Sequence, residues 1–141
     1  QKSSDPGWIE NEDDDIYKEN ILDHYKHPHN FGIIEKPTFS GKGNNPLCGD
    51  NLEIFIELKD GKVKEVKFRG SGCAISMASA SMLTDKIRGM DINHVKNLRD
   101  KDIFEMIGTE LGVVRAKCGL LGLQILIKGI NEYGKKNNEK K

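Results

Sequence analysis

The chain has 141 residues, 36% hydrophobic and 31% charged, and its 22 basic and 22 acidic side chains cancel. That length fits one domain around one core, and the balanced charge gives no electrostatic footprint for nucleic acid or a membrane surface. No apolar run approaches the roughly 20 residues that span a bilayer. The three cysteines, Cys48, Cys73 and Cys118, are an odd number, which argues against a disulfide framework and for a reducing, cytoplasmic setting.

Residues 1–14 read as a flexible tail, with Pro6, Gly7 and few apolar side chains, and without the basic-then-apolar pattern of a signal segment. Residues 135–141 read as a polar C-terminal tail, so the domain is expected over 15–134. It opens on a short amphipathic helix carrying Ile16, Ile21, Leu22 and Tyr25, capped by Asp14 or Asp15 and stopped by Pro28. Residues 31–46 are turn-rich, with a weak edge strand over 33–40 that Pro37 interrupts. A hairpin follows: 52–58 and 63–68 alternate apolar and polar residues around Asp60-Gly61, a pair suited to a two-residue turn with positive φ.

Gly70-Ser71-Gly72 ends the second arm. Residues 74–88 have helical spacing and enough Ala and Ser to imply close packing against a neighbour, with Gly89 as the stop. Residues 91–98 and 101–107 suggest two short helices, the second capped by Asp100, and a long apolar helix is expected from Val113 to Tyr133. The order predicts an α+β fold, a small antiparallel three-stranded sheet with helices packed on one face.

Each cysteine falls at a join between predicted elements: Cys48 in the loop before the hairpin, Cys73 at a helix entry, Cys118 near the start of the last helix. Loops and helix starts present a thiol outward and favour thiolate. Asp50, two residues after Cys48 on an extended segment, can point to the same side as that thiol. Three thiolates and one carboxylate make a plausible four-donor set for Zn²⁺ or an iron–sulfur cluster; the plainer reading of Asp50 is a turn cap after Gly49. Lys117 beside Cys118 can support a thiolate, or be an ordinary solvated lysine, and Arg115 stands under the same alternatives. His24, His27 and His29 share one segment with no accompanying Cys or Glu in a metal motif, and they read as surface or capping residues, as does His94.

The sequence resembles the IscU/SufU/NifU N-terminal domain family from about Ile16 to Tyr133, through YKENILDHYKHPHNFG, NPLCGDNLEIFIEL, FRGSGCAISMASASMLTD and VVRAKCGLLGLQILIKGI. The resemblance implies a SufE/NifU-like fold and a scaffold that takes sulfur from a cysteine desulfurase, binds iron, assembles a [2Fe–2S] cluster and passes it to apo-proteins. It carries the ligand set onto Cys48, Asp50, Cys73 and Cys118, implies Cys118 as persulfide acceptor, and allows Zn²⁺ in the same site. Two features depart from the IscU pattern: Lys117 stands where IscU members have His, and Gly112-Val113-Val114-Arg115 replaces their chaperone-docking Leu-Pro-Pro-Val-Lys, so a dedicated chaperone is not expected. Arg-x-Lys-Cys is similar to SufU, whose members act as zinc-dependent sulfurtransferase partners of a desulfurase, but the extra segment that SufU inserts between its second and third Cys is missing. A homo-oligomer stays open.

Overall fold

The computed structural model describes residues 12–108 and 111–139. Helix α1 (Glu12–Lys26) leads into strands β1 (Phe39–Asn45), β2 (Asp50–Lys59) and β3 (Lys62–Ser71). Four helices follow: α2 (Ala74–Ile87), α3 (Ile92–Lys96), α4 (Asp100–Ile107) and α5 (Val113–Glu139). The strands form one antiparallel sheet in the order β1-β2-β3, as the α+β reading expects. None of the described helices is long and apolar enough to cross a membrane.

The hairpin forms for the reason the sequence suggests. Asp60 and Gly61 both take positive φ, 55° and 77°, whose twist matches that of the flanking strands. Period-two alternation then aims Leu52, Ile54 and Ile56 of β2 and Val66 and Phe68 of β3 into one core. Phe55 points the other way and is covered by the Arg69 guanidinium, 5.6 Å from its ring centre.

Helices α2 and α5 lie on the apolar face of the sheet and on each other. Their small residues permit this: Ser79 Oγ donates to the Gly119 carbonyl at 2.7 Å, and a Cβ at Gly122 would sit 3.2 Å from Leu83 Cδ2. α1 packs across α2 through the buried Ile21.

Four boundaries differ from expectation. The first strand is not 33–40 but Phe39–Asn45, beyond Pro37, whose ring nitrogen has no proton to donate. Gly41 and Gly43 gave this stretch the look of a loop, yet they are the contact with α5. A Cβ on either would come within 3.0–3.1 Å of Ile125 side-chain carbons. The second short helix is capped from inside: Arg99 is its N-cap and Asp102, not Asp100, accepts the Arg99 N–H at 2.8 Å. Asp100 instead lies in the first turn, where a carboxylate suits the helix dipole.

α5 continues past Tyr133 to Glu139, because no Pro intervenes, Lys136 suits the helix C-terminus, and Tyr133 is held by stacking on Phe39 with ring centres 5.2 Å apart. Residues 135–139 of the expected polar tail are therefore helical, and 140–141 lie outside the described residues. At the other end, residues 1–11 of the expected tail lie outside the described residues. Glu12–Asp14 already belong to α1, which puts Asp14 and Asp15 within the helix rather than at its cap.

Candidate metal centre

The four predicted donors come from four places in the fold. Cys48 sits in the tight turn joining β1 to β2; its N–H bonds the Asn45 carbonyl at 3.2 Å, and Gly49, at φ 71°, turns the chain into the next strand. Asp50 is the first residue of β2, paired with Asn45. Cys73 is the extended N-cap of α2, placed by the break at Gly70 and Gly72, and Cys118 is in the second turn of α5. Sheet and helix ends thus converge.

Cys118 Sγ lies 2.9 Å from Cys48 Sγ, and one donor atom from each of Cys48, Asp50 and Cys118 falls within 4.8 Å of the others. Cys73 Sγ is 4.0 Å from Asp50 Oδ2. The structure therefore brings together all four predicted residues. Asp50 and Cys118 are each 1% exposed, while Cys48 and Cys73 form the half-buried mouth.

Asp50 is not the cap of its own turn. Its Oδ1 accepts the Cys73 N–H at 2.8 Å, so the carboxylate ties the start of β2 to the start of α2 and keeps Oδ2 turned toward the Cys73 sulfur. This contact explains Gly72: a Cβ there would stand 2.5 Å from Asp50 Oδ1 and 2.6 Å from Ser76 Oγ.

The electrostatics correct one expectation. The Cys118 thiol is pushed well above its ordinary range, first by burial and then by its contacts with Cys48, Asp50 and Cys73. A helix dipole acts over the first turn and Cys118 is in the second; Lys117 is exposed, and adjacent helical residues point about 100° apart. Neither offsets the burial of this thiol. Four crowded groups that would each be anionic suit a bound cation, whose charge reverses the local preference for protons. The donor chemistry thus fits iron or zinc.

Two neighbours were not singled out in the sequence. Asn45, 7% exposed, directs Nδ2 at Cys118 Sγ across 3.5 Å, and Ser76 Oγ lies 3.8 Å from Cys73 Sγ. Ser76 had a signal, its i+3 spacing from Cys73 at the helix entry. Asn45 had none beyond being a polar residue before Pro46. Arg115, His27 and His94 are exposed, whereas His24 and His29 meet each other and Asp85 elsewhere on the surface.

Residues 16–140 match the NifU-like N-terminal domain. The chain belongs to that family. It is 36% identical over 119 residues to "Iron-sulfur cluster assembly scaffold protein IscU" of Aquifex aeolicus, covering 83% of this chain and 75% of that one. It is also 36% identical over 134 residues to "Zinc-dependent sulfurtransferase SufU" of Bacillus subtilis, covering 83% and 90%. Among solved structures, the N-terminal NifU-like protein of Brucella abortus superposes with a TM-score of 0.73 at 21% identity, covering 87% of this chain and 97% of its own. A SufU scaffold from Fervidobacterium islandicum superposes at 0.68 and 27% identity, covering 82% and 96%. The NifU-like architecture expected of the sequence is therefore the one found.

Proposed function

We propose that this NifU-like domain is an iron–sulfur cluster assembly scaffold, with iron and sulfide as cargo held by Cys48, Asp50, Cys73 and Cys118. The observation that supports it most is the convergence of three sulfurs and one carboxylate from the β1–β2 turn, β2, the α2 entry and α5. The name of the Aquifex relative agrees with it.

In this reading a [2Fe–2S] cluster is built on the four donors and passed to an apo-protein. Sulfur arrives as the persulfide of a cysteine desulfurase, with Cys118 as acceptor. One S–S bond breaks in the donor and one forms on Cys118, the donor cysteine leaves as thiolate, and no net oxidation occurs. Reducing that sulfur to sulfide takes electrons from a separate donor protein or thiol. Because Cys118 is buried behind Cys48, the turn 46–49 has to lift before the sulfur can be delivered. Leu47, Val113 and Val114, 67%, 81% and 54% exposed, give the mouth an apolar rim on which a desulfurase or apo-protein can seat. We place the protein in the cytoplasm.

The SufU relative and Lys117 beside Cys118 favour a second reading, a zinc-dependent sulfurtransferase with the same four residues holding Zn²⁺ and Cys118 taking the sulfur. In it the ion keeps thiolates deprotonated at neutral pH.

Anaerobic reconstitution with Fe²⁺, free cysteine and a cysteine desulfurase separates the two. The scaffold reading expects a coloured product with equal iron and sulfide, lost in Cys48→Ser, Cys73→Ser and Cys118→Ser. Desulfurase turnover stimulated by Zn²⁺-loaded protein with no cluster formed selects the second reading. Failure of both leaves neither standing.

A further inference from the structure

Two imidazoles and a carboxylate meet at the far end of α2, about 18 Å from Cys73 at 1.5 Å per helical residue. The rings of His24, on α1, and His29, just past Pro28, have centroids 4.5 Å apart. His29 Nδ1 bonds Asp85 Oδ2 of α2. One donor atom from each of the three residues lies within 4.8 Å of the others.

The surroundings hold these donors in place. Ser81, fully buried, accepts the His29 backbone N–H at 2.8 Å and lies 2.7 Å from His24 Nδ1, which leaves His24 Nε2 as that ring's other nitrogen. Asn30 donates to Asp85 Oδ1 at 2.9 Å and to Thr84 Oγ1 at 3.0 Å, and accepts from Arg88. To do so Asn30 adopts φ 59°, a left-handed conformation unusual for a residue other than glycine. Outer contacts of this kind, orienting a ring or a carboxylate, are those that tune metal ligands.

We propose that His24, His29 and Asp85 form a second metal site that takes a borderline divalent transition-metal ion such as Zn²⁺, with at least one position left for solvent. Two nitrogens and one oxygen are the donor set for such an ion. It would take the place of the direct His29–Asp85 hydrogen bond, the carboxylate moving back until both donors reach the roughly 2.0–2.2 Å of a Zn–N or Zn–O bond. The alternative, a surface ion pair with a histidine beside it, accounts for His29 and Asp85 but not for His24. His24 has a serine rather than a carboxylate partner, yet its ring centre lies 4.5 Å from that of His29 and it offers a donor atom within 4.8 Å of Asp85. By bridging α1 to α2 the ion would clamp the first helix onto the domain.

The test is Zn²⁺ titration of the full chain carrying Cys48→Ser, Cys73→Ser and Cys118→Ser, followed by calorimetry and by the histidine ring signals in NMR. One equivalent is expected to bind and to shift the His24 and His29 rings while leaving those of His27 and His94, both exposed, in place. His29→Ala and Asp85→Asn should each weaken binding at least tenfold, and Ser81→Ala about tenfold. If the triple variant does not fold, the second equivalent added to the unmodified protein is read by the same ring signals. The proposal is overturned by no binding, by four histidines shifting together, or by affinities in His29→Ala and Asp85→Asn within twofold of the parent. None of these outcomes touches the reading of the thiol centre.

Discussion

Asp50 carries two duties on two oxygens, and they can be separated by substitution. Asp50→Asn keeps an oxygen for the Cys73 N–H and removes the charge, whereas Asp50→Ala removes both. A carboxylate is a more exchangeable iron ligand than thiolate, so both changes should slow release of a reconstituted cluster to an apo-protein, by about tenfold on the scale of ligand-sphere substitutions. Only Asp50→Ala should also lower the urea midpoint, since it leaves the part-buried Cys73 amide without its acceptor, worth about 1 kcal/mol. Equal release rates in Asp50→Asn and the parent would end the role of Asp50 in cargo release. Gly72→Ala attacks the same contact from the other side: its methyl would collide with Asp50 Oδ1 and Ser76 Oγ. We expect it to cost about 1–3 kcal/mol by denaturation and to weaken Zn²⁺ binding at the thiol centre in a chelator competition. The candidates Cys48, Cys73 and Cys118 were legible because they fall at element joins, a local pattern, whereas the spacing of Asp50 left it open between ligand and turn cap, and only the family resemblance favoured the ligand. The Asp50–Cys73 hydrogen bond was not legible, because it depends on the register of β2 and β3, which sets Asn51 opposite Ser71.

At the scale of elements, the hairpin and α2 were readable from period and turn chemistry, which are written within each segment. β1 was hidden because its defining feature is a partner. Gly41 and Gly43 carry no strand signal, and the reason for them is Ile125 on a helix more than eighty residues later. Their spacing of two was the available clue, one face of a strand kept bare. Gly43→Val should therefore push α5 off the sheet edge at a cost of about 1–3 kcal/mol, seen as a lower urea midpoint by circular dichroism, with the far-ultraviolet spectrum unchanged before the transition. A neutral result would mean that α5 does not need the bare edge. The turn that carries Cys48 is the other element with a distinct role. A Cβ at Gly49 would touch nothing within 4 Å, so Gly49→Ala adds strain at φ 71° without a clash. It should change sulfur transfer to Cys118 more than it changes stability.

Across the whole molecule, acid is expected to loosen the α1–α2 junction before anything else, and the sign follows from two groups. With chelator present, the His24 imidazole is held below 6.5 in the folded chain by burial and by His29. As pH falls through that window the unfolded chain takes up a proton that the folded chain resists, so stability falls with it. For Asp85, burial alone would raise the carboxyl, but the hydrogen bonds from His29 and Asn30 outweigh it and hold it below 3.8. Its contribution is complete above 3.8 and disappears as pH drops through the folded value. Both slopes point the same way, toward loss on acidification, and both groups sit where α1 meets α2. The urea midpoint should therefore be level above about pH 7 and decline below 6.5; His24→Gln should flatten the first part of that decline, while Asp85→Asn should remove the most acidic part and, by taking away a charge that raises His24, extend the first part to lower pH. Hydrogen exchange would localise the effect: amides of α1 should lose protection before those of β2 and β3, because α1 reaches the rest of the domain mainly through α2. Simultaneous loss across the sheet would assign the acid sensitivity to the core instead of the histidine junction.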